Sequence, residues 1–335
     1  MSLGPGVDRQ HMPTHQRIDW TPVQLPSGVN LRLSRHEYRG TANGPTVYIQ
    51  AAQHGREVNG TEAIRRLHDY LIDAAEFHGT VVTVPVADPL TFDRRSYTTP
   101  EELDSIAPNM NRVWPGDEAG SIHERLAAAL WTVARDATVI IDLHTASAST
   151  LPHVVFTEGD DEAEQLARAF GTELHLAEPA GEAAGPEWHA REFHGKLRVA
   201  AHGNGIPCIT PELGDSERLQ EGAVELGVTG IRSVLRAVGV LPGKPTKESP
   251  PRCRNHLART RAAAAGLFRP DPSCELGTTV SSGASLGIVY NPTTFEPRQT
   301  ATAEQDGVLY AVTRRGTVAA GDRLASVAIP TDQFE

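Results

Sequence analysis

A histidine and a glutamate three residues apart, His54 and Glu57, have the spacing of a pair that could hold a metal ion. They follow a short apolar run, residues 47–52, that predicts a buried strand, and an amphipathic segment begins directly after them. At this spacing an imidazole nitrogen and a carboxylate oxygen can be aimed at one point. A catalytic zinc ion takes three protein ligands and keeps a fourth position for water. A third ligand must therefore come from elsewhere in the chain.

The same spacing occurs twice more, at His175/Glu178 and at His189/Glu192, so the motif is weak by itself. Only the first pair stands where a strand gives way to a helix, and ligands in open α/β sheets bind outside the carboxyl ends of strands. The other two pairs lie in an ordinary polar stretch and in a Gly- and Glu-rich stretch. We predict that both are surface pairs.

Two later apolar runs also end in polar side chains. Residues 138–146 predict a strand with His144 near its end, which completes a set of two imidazoles and one carboxylate. Asp142 either supports these ligands or is simply a polar residue on one strand face. Residues 205–214 predict a strand that ends in Glu212, a carboxylate suited to take a proton from zinc-bound water and pass it to a leaving nitrogen. The alternative for Glu212 is an acid placed near a helix start because of the helix dipole.

The elements that must position these groups alternate between strands and helices. Helical spacing of apolar residues predicts helices at about 59–75, 118–135, 161–171 and 215–238, and a β-branched run predicts a strand at 80–86. The β-α-β order indicates parallel strands. We predict an α/β fold with a mixed, mainly parallel sheet flanked by helices.

The composition changes at a Pro-rich stretch, residues 241–251, and beyond it short β-rich runs are separated by glycines. We predict a catalytic α/β domain at 1–242, a Pro-rich linker with a short helix at 243–265, and a small all-β domain at 266–335.

Composition narrows the function classes. The 335 residues carry a net charge of −11, which argues against nucleic acid and anionic membranes as partners. No apolar run approaches the length that spans a bilayer, and the first thirty residues lack the apolar core of a signal peptide. Three widely spaced cysteines give no disulfide framework. These features predict a cytoplasmic protein, and they leave a homo-oligomer open.

Four motifs, in this order, resemble the succinylglutamate desuccinylase/aspartoacylase family, which is related to the zinc carboxypeptidases. They are His54-Gly-Arg-Glu57, Asn111-Arg112 before Trp-Pro-Gly, Asp142-Leu-His144-Thr, and Glu212-Leu-Gly. The match covers roughly residues 45–240. The resemblance implies a zinc carboxypeptidase-like fold with one Zn²⁺ per chain. It also implies a zinc-dependent amidohydrolase, acting on linear, non-peptide amides, that removes the acyl group from an N-acyl amino acid or a related small molecule.

Carried over by position, the resemblance implies that His54, Glu57 and His144 are the zinc ligands and that Glu212 is the catalytic base. The roles of these four residues agree with those predicted from their strand-end positions.

The resemblance also implies a substrate clamp. Asn111 and Arg112 would hold the substrate carboxylate through a bidentate fork that lysine could not reproduce. Asn111 and Arg112 lie in a long polar loop, residues 88–116, and an arginine earlier in this loop would polarise the scissile carbonyl and stabilise the oxyanion. Arg94 and Arg95 both qualify. We assign the catalytic role to Arg95 and a substrate-binding role to Arg94.

The sequence departs from the family pattern at Asp88-Pro89, where many members have Asn-Pro. An acid there would alter the charge near the arginines and speaks against the usual acidic acyl substrates. The β-rich tail is similar to that of many members and resembles a biotinyl/lipoyl-like fold. No lysine follows Lys247, however, so the tail has no group to acylate.

Two other functions fit the same residues. A metallocarboxypeptidase acting on peptide C-termini uses the same ligands, base and carboxylate clamp, and the motifs do not separate it from a deacylase. A binding or scaffold protein with an inactive site is the third hypothesis. The presence of Glu212 beside all three ligands speaks against it.

Overall fold

The computed structural model describes residues 12–146, 149–246 and 252–330. The strands are Thr14–Gln24 (β1), Asn30–Arg39 (β2), Ala42–Ala51 (β3), His78–Val84 (β4), Val139–Ala146 (β5), Ser149–Thr150 (β6), His153–Thr157 (β7), Leu174–Glu178 (β8), Cys208–Asp215 (β9), Arg252–Arg261 (β10), Gly266–Pro270 (β11), Thr279–Val280 (β12), Ser285–Tyr290 (β13), Pro297–Thr302 (β14), Gly307–Val312 (β15), Thr317–Val318 (β16) and Arg323–Pro330 (β17). The helices are Asn59–Ile72 (α1), Pro89–Arg94 (α2), Ile122–Ala134 (α3), Asp161–Phe170 (α4), Pro186–Ala190 (α5), Leu197–Gly203 (α6) and Glu221–Ala237 (α7). Short 3-10 helices lie at Met110–Arg112, Gly181–Ala183 and Phe193–Gly195.

One large sheet has the strand order β1-β2-β4-β3-β5-β9-β7-β8-β10-β17-β15-β12, and a second has the order β14-β13-β11-β16. The pairs of β3 with β4, β3 with β5, and β5 with β9 are parallel, as are β7 with β8 and β8 with β10. The hairpin β1–β2, its contact with β4, and the β7–β9 pair are antiparallel. The predicted mixed, mainly parallel sheet is confirmed, and the predicted β-rich C-terminal region contains the second sheet, which is antiparallel.

Helices cover both faces of the central strands because successive residues of β3 point to opposite sides. Val47 packs with Leu67 of α1 in a core that also contains residues of α4 and α7. Tyr48 packs on the other side with Leu130 of α3. The strands therefore read as nearly continuous apolar runs, as expected for strands buried on both faces. No helix in the described residues has the length and apolar character needed to cross a membrane.

The segment at 243–265 differs from the predicted linker with a short helix. Its described part contains strand β10, which pairs in parallel with β8 and antiparallel with β17. Cys253 lies opposite Leu176 of β8, and both are buried in one apolar cluster with Ala328 of β17. Pairing on both sides also leaves neither β8 nor β17 as an unpaired edge there. The C-terminal strands β10, β15 and β17 are thus part of the large sheet rather than tethered to it by a linker, and the predicted boundary at 266 lies between strands that this sheet joins.

Candidate metal centre and its cavity

The cluster lies where neighbouring strands of the large sheet end. β3 ends at Ala51, and His54 and Glu57 occupy the short turn between this strand and α1. His144 lies in β5 and Glu212 in β9, opposite each other in the register of that parallel pair. The strand-end rule therefore brings all four side chains to one edge of the sheet.

The turn is held tightly between α2 and β9. A Cβ atom at Gly55 would lie 2.0 Å from the carbonyl carbon of Thr91, so only glycine fits between His54 and Glu57 at this close approach. On the other side, the Asn59 side chain donates hydrogen bonds to the backbone oxygen of Leu213 at 2.8 Å. These contacts fix the turn that carries two of the predicted ligands.

His54, Glu57 and His144 each offer one ligand atom, and these atoms lie within 4.8 Å of one another, all in buried residues. His54 Nδ1 lies 2.9 Å from the backbone oxygen of Tyr97, which leaves Nε2 as the ligand nitrogen. Burial, and next the charge of His144, lowers the pKa of His54 well below its usual range. This histidine is therefore neutral, which is the form that binds metals.

Asp142 is a partner of His144. Its Oδ2 lies 3.0 Å from His144 Nε2, while His144 Nδ1 lies 3.0 Å from Glu57 Oε2. Gln53 donates to Asp142 Oδ2 at 2.7 Å and accepts from the Trp114 indole N–H at 2.8 Å. Carboxylates that orient metal-ligating imidazoles in this way are a common feature of metal sites. Of the two predicted alternatives for Asp142, these contacts favour a residue that supports the ligands over a merely polar residue on one strand face.

The ionisation of the cluster reflects its charges. Burial opposes a charge on His144, but Asp142 and Glu57 outweigh that effect and raise the pKa of His144 well above its usual range. Two buried carboxylates thus surround one imidazole, and a cation would balance their charge.

Glu212 faces the same space. Its Oε2 is buried without a hydrogen-bond partner among the described residues. Burial is the main cause that raises its pKa to about 7, and the charge of Glu57 adds to it. A buried carboxylate oxygen without a protein partner, next to three ligand atoms, fits a centre that also takes a water molecule.

The four groups open into a cavity of about 580 Å³ that is rich in cations. The basic side chains in its lining come from both parts of the chain: Arg56, Arg112, Arg191, Lys196, Arg198, Arg259, Arg261 and Arg323. Tyr310 and Arg323 show that strands β15 and β17 supply part of the wall. Such a cavity has the size of a small-molecule site.

Asn111 and Arg112 line this cavity, at the short 3-10 helix of the long polar loop. The Asn111 side-chain oxygen accepts a hydrogen bond from the backbone N–H of Leu197 at 3.1 Å, so its amide NH₂ is the group that it can offer to a ligand. The Arg112 guanidinium carbon lies 4.6 Å from the centre of the Phe193 ring. The structure thus brings the predicted clamp to the predicted ligands.

Arg94 and Arg95 are not brought to the cavity. Both are exposed and neither is part of its lining. Arg95 ends α2 with a left-handed backbone conformation, which turns the chain after it. Tyr97, two residues further along the chain, lines the cavity: its ring stacks on His54 at 3.8 Å, and the Arg56 guanidinium lies over it at 5.2 Å. The structure therefore does not bring either predicted arginine to the cavity, whereas Tyr97 and Arg56 line it.

Asp88, the departure from the family pattern, does not place its charge in the cavity. It is fully buried and caps α2 by accepting hydrogen bonds from the backbone N–H groups of Leu90 and Thr91. Its second oxygen lies 3.0 Å from His123 Nε2. The negative charge of Asp88 is thus paired with the neighbouring His123 and is not added to the group of arginines in the cavity.

The prediction that His175 and Glu178 form a surface pair is wrong, because both are buried. Glu178 ends β8 and lines the cavity, where both of its oxygens lie 3.0 Å from Lys196 Nζ. It also pairs with Arg198. The strand 174–178 had not been recognised in the sequence, although the strand-end rule that found His144 also applies to Glu178. His189 and Glu192 are exposed, as predicted.

This fold, with a buried His/Glu/His cluster at strand ends and a cationic cavity, defines an α/β protein with a candidate hydrolytic metal centre. The model of the succinylglutamate desuccinylase/aspartoacylase catalytic domain matches residues 43–238, and the chain belongs to that family.

Related proteins are similar in sequence or in fold to nearly the whole chain. N-alpha-acetyl-L-2,4-diaminobutyric acid deacetylase from Halomonas elongata is 28% identical over 338 residues, covering 92% of this chain and 86% of the relative. A succinylglutamate desuccinylase/aspartoacylase from Rhodobacter sphaeroides superposes with a TM-score of 0.79 at 22% identity, covering 98% of each chain. The product-bound ectoine utilization protein EutE (DoeB) from Ruegeria pomeroyi gives a TM-score of 0.79 at 21% identity, covering 97% of each chain. The two structures share the fold of this chain.

Proposed function

We propose that the chain is a zinc-dependent deacylase that hydrolyses the amide bond of an N-acyl amino acid or a related small N-acyl compound. The observation that carries the proposal is the unpartnered, buried Oε2 of Glu212 beside the ligand atoms of His54, Glu57 and His144. The Halomonas elongata relative, which deacetylates an N-acetyl amino acid, supports the same class of substrate.

His54, Glu57 and His144 would hold the zinc ion. When bound, zinc supplies a Lewis acid for the scissile carbonyl and lowers the pKa of a coordinated water. Two imidazoles and one carboxylate are a known ligand set for catalytic zinc.

Glu212 acts as the general base. Its carboxylate accepts a proton from the attacking water and passes it to the leaving nitrogen. Its position opposite His144 in the β5–β9 register supports this role.

Arg112, with the Asn111 amide, binds the substrate carboxylate. Tyr97 donates a hydrogen bond from its hydroxyl to the developing oxyanion. Burial, with the charge of Glu57, raises the pKa of Tyr97, so that this hydroxyl keeps its proton at neutral pH. A donor of this kind is most effective in a buried site.

The C-terminal strands favour a deacylase over a carboxypeptidase. Tyr310 of β15 and Arg323 of β17 form part of the cavity wall, so the C-terminal strands bound the site on one side. A bounded cavity of about 580 Å³ suits a small N-acyl compound better than the end of a long peptide.

The test is amine release by the zinc-loaded chain on N-acetyl and N-succinyl amino acids, dipeptides and longer peptides. We expect cleavage of small N-acyl amino acids, and loss of this activity after chelation with recovery on adding zinc. Cleavage of peptide C-termini would instead establish a carboxypeptidase. Activity that survives complete removal of metal would contradict the zinc-dependent mechanism.

A further inference from the structure

A second group of histidines lies at the edge of the large sheet, outside the catalytic cavity. His15 of β1, His36 of β2 and His68 of α1 each offer a ring nitrogen, and these atoms lie within 4.8 Å of one another. None of the three lines the cavity that contains His54 and His144. This group, the edge histidine cluster, has no part in the proposed hydrolysis.

The fold brings these rings together from distant parts of the sequence. In the β1–β2 hairpin His15 pairs with Tyr38 and Arg17 pairs with His36, so His15 and His36 are diagonal neighbours on one face. Their rings stack with centres 5.2 Å apart, and His15 Nε2 lies 3.0 Å from His36 Nδ1. His68 completes the group from α1, with its ring centre 4.9 Å from that of His15.

Tyr38 orients the third ring. Its hydroxyl oxygen lies 2.7 Å from His68 Nδ1, and the tyrosine is buried beneath the cluster. When Nδ1 carries the proton and donates to this oxygen, the lone pair of His68 lies on Nε2. Partners that fix the tautomer of a ligating histidine in this way are typical of metal sites.

We propose that the edge histidine cluster is a second metal site, which binds a divalent transition-metal ion such as Zn²⁺ or Cu²⁺ through three imidazoles. Imidazole is a favoured ligand for both ions. The nitrogens of a tetrahedral site stand about 3.3 Å apart when metal–nitrogen bonds are about 2.0–2.1 Å. The three nitrogens lie within 4.8 Å of one another, so side-chain rotations would have to close them to that spacing, and the ion would replace the proton between His15 and His36.

The surroundings permit a cation. His15 is exposed and the other two histidines are half-buried, so an ion can enter from solvent. Arg17, which lies opposite His36 in the hairpin, is bound to Asp19 through hydrogen bonds of 2.9 and 3.0 Å, which offset its charge. A bound ion would join the outermost hairpin of the sheet to helix α1, and its role is therefore to fix the edge of the fold.

The test is zinc analysis of the full-length chain after dialysis against micromolar zinc. The triple variant His15→Gln/His36→Gln/His68→Gln is expected to hold one zinc ion per chain fewer than the wild type. This difference does not depend on what the catalytic cluster binds. His78→Gln, at an exposed histidine that begins β4, is the matched control and should lose none. Equal zinc content in the triple variant and the wild type would overturn the proposal.

Two further measurements do not use the triple variant, so they test the proposal even if that variant fails to fold. Cu²⁺ added to the zinc-loaded wild type should give an electron paramagnetic resonance spectrum with hyperfine structure from several nitrogens. Tyr38→Phe keeps the ring but removes the hydroxyl, and should weaken this Cu²⁺ binding by roughly 10- to 100-fold. A Cu²⁺ spectrum without nitrogen hyperfine structure, or a dissociation constant for Cu²⁺ in the millimolar range, would show that the ion binds only adventitiously and would overturn the proposal.

Discussion

Single residues in the candidate metal cluster are held in place by hydrogen-bond partners. Asp142 and the Tyr97 backbone oxygen each bind one ring nitrogen of a predicted ligand, His144 and His54 respectively. Glu57 Oε2 accepts a hydrogen bond from the backbone N–H of Thr145 at 3.0 Å. These contacts set the orientation of each ligand, and ligands that are oriented in advance lower the cost of binding an ion.

Glu212→Gln separates proton transfer from metal binding. The amide has the shape of the carboxylate but cannot accept a proton, so we expect kcat to fall by roughly 10²- to 10⁴-fold while zinc content stays unchanged. Steady-state kinetics and metal analysis on the same preparation measure both. Glu225→Gln, at an exposed acid on α7, is the control and should retain full activity. Undiminished turnover in Glu212→Gln would place the base elsewhere.

Tyr97→Phe distinguishes the arrangement in the structure from the one predicted from sequence. The ring would still stack on His54, but the hydroxyl donor would be lost, and we expect kcat/KM to fall by roughly 10- to 100-fold. Arg95→Ala, at the exposed end of α2, should leave kcat/KM within about twofold of the wild type. The reverse pattern, with a large loss only in Arg95→Ala, would show that the loop rearranges when substrate binds.

The sequence was informative where function depends on strand ends. The positions of His54 and His144 follow from apolar runs that stop at a polar residue, and a parallel sheet brings such positions together. Tyr97 could not be chosen over Arg95 in this way, because the left-handed turn at Arg95 and the packing of the long loop decide which side chain faces inward. Loop packing is a tertiary property that no local pattern encodes.

At the scale of elements, a buried charge network joins the loop that carries Asn111 and Arg112 to helices α2 and α3. His123 near the start of α3 lies between Asp88, which caps α2, and Asp104 in the loop, with each nitrogen 3.0 Å from a carboxylate oxygen. Burial opposes a charge on His123, but the hydrogen bond and charge of Asp88, with the charge of Asp104, outweigh it and raise the pKa of His123. The protonated histidine therefore stabilises the loop that carries Asn111 and Arg112.

His123→Gln tests this network through the pH dependence of stability. Because the pKa of His123 is raised in the folded state, its charge contributes fully below the unfolded value of about 6.5, and the contribution is lost as pH rises through the folded value. We expect the variant to be less stable than the wild type by roughly 2–4 kcal/mol at pH 6, and the difference to shrink as pH rises. Denaturant unfolding at several pH values measures it. His78→Gln is the control, and a constant difference for His123→Gln would contradict the assignment.

At the scale of the whole molecule, the main departure from the sequence prediction is the continuity of the sheet. The Pro-rich stretch and the glycine-punctuated runs after it correctly indicated a change to β structure. The pairing of β10 with β8 joins residues about 75 positions apart in sequence, such as Cys253 and Leu176, and neither strand carries a local signal for its partner. Strand pairing over such separations depends on the assembled core. The sequence therefore predicts that the C-terminal region forms strands, but it does not predict that these strands line the cavity.

Arg323→Ala tests whether that wall contacts substrate. Arg323 begins β17, lines the cavity and is half-buried, so its charge is partly screened by solvent. We expect KM for an N-acyl amino acid to rise by roughly 3- to 10-fold with little change in kcat. The reason is that the arginine would stabilise the bound substrate by the same amount in the ground state and in the transition state. Arg315→Ala, at an exposed arginine outside the cavity lining, provides the matched control and should leave KM unchanged. If KM is the same in both variants, the C-terminal strands enclose the site without binding its substrate, and selectivity must come from groups of the catalytic sheet such as Arg112.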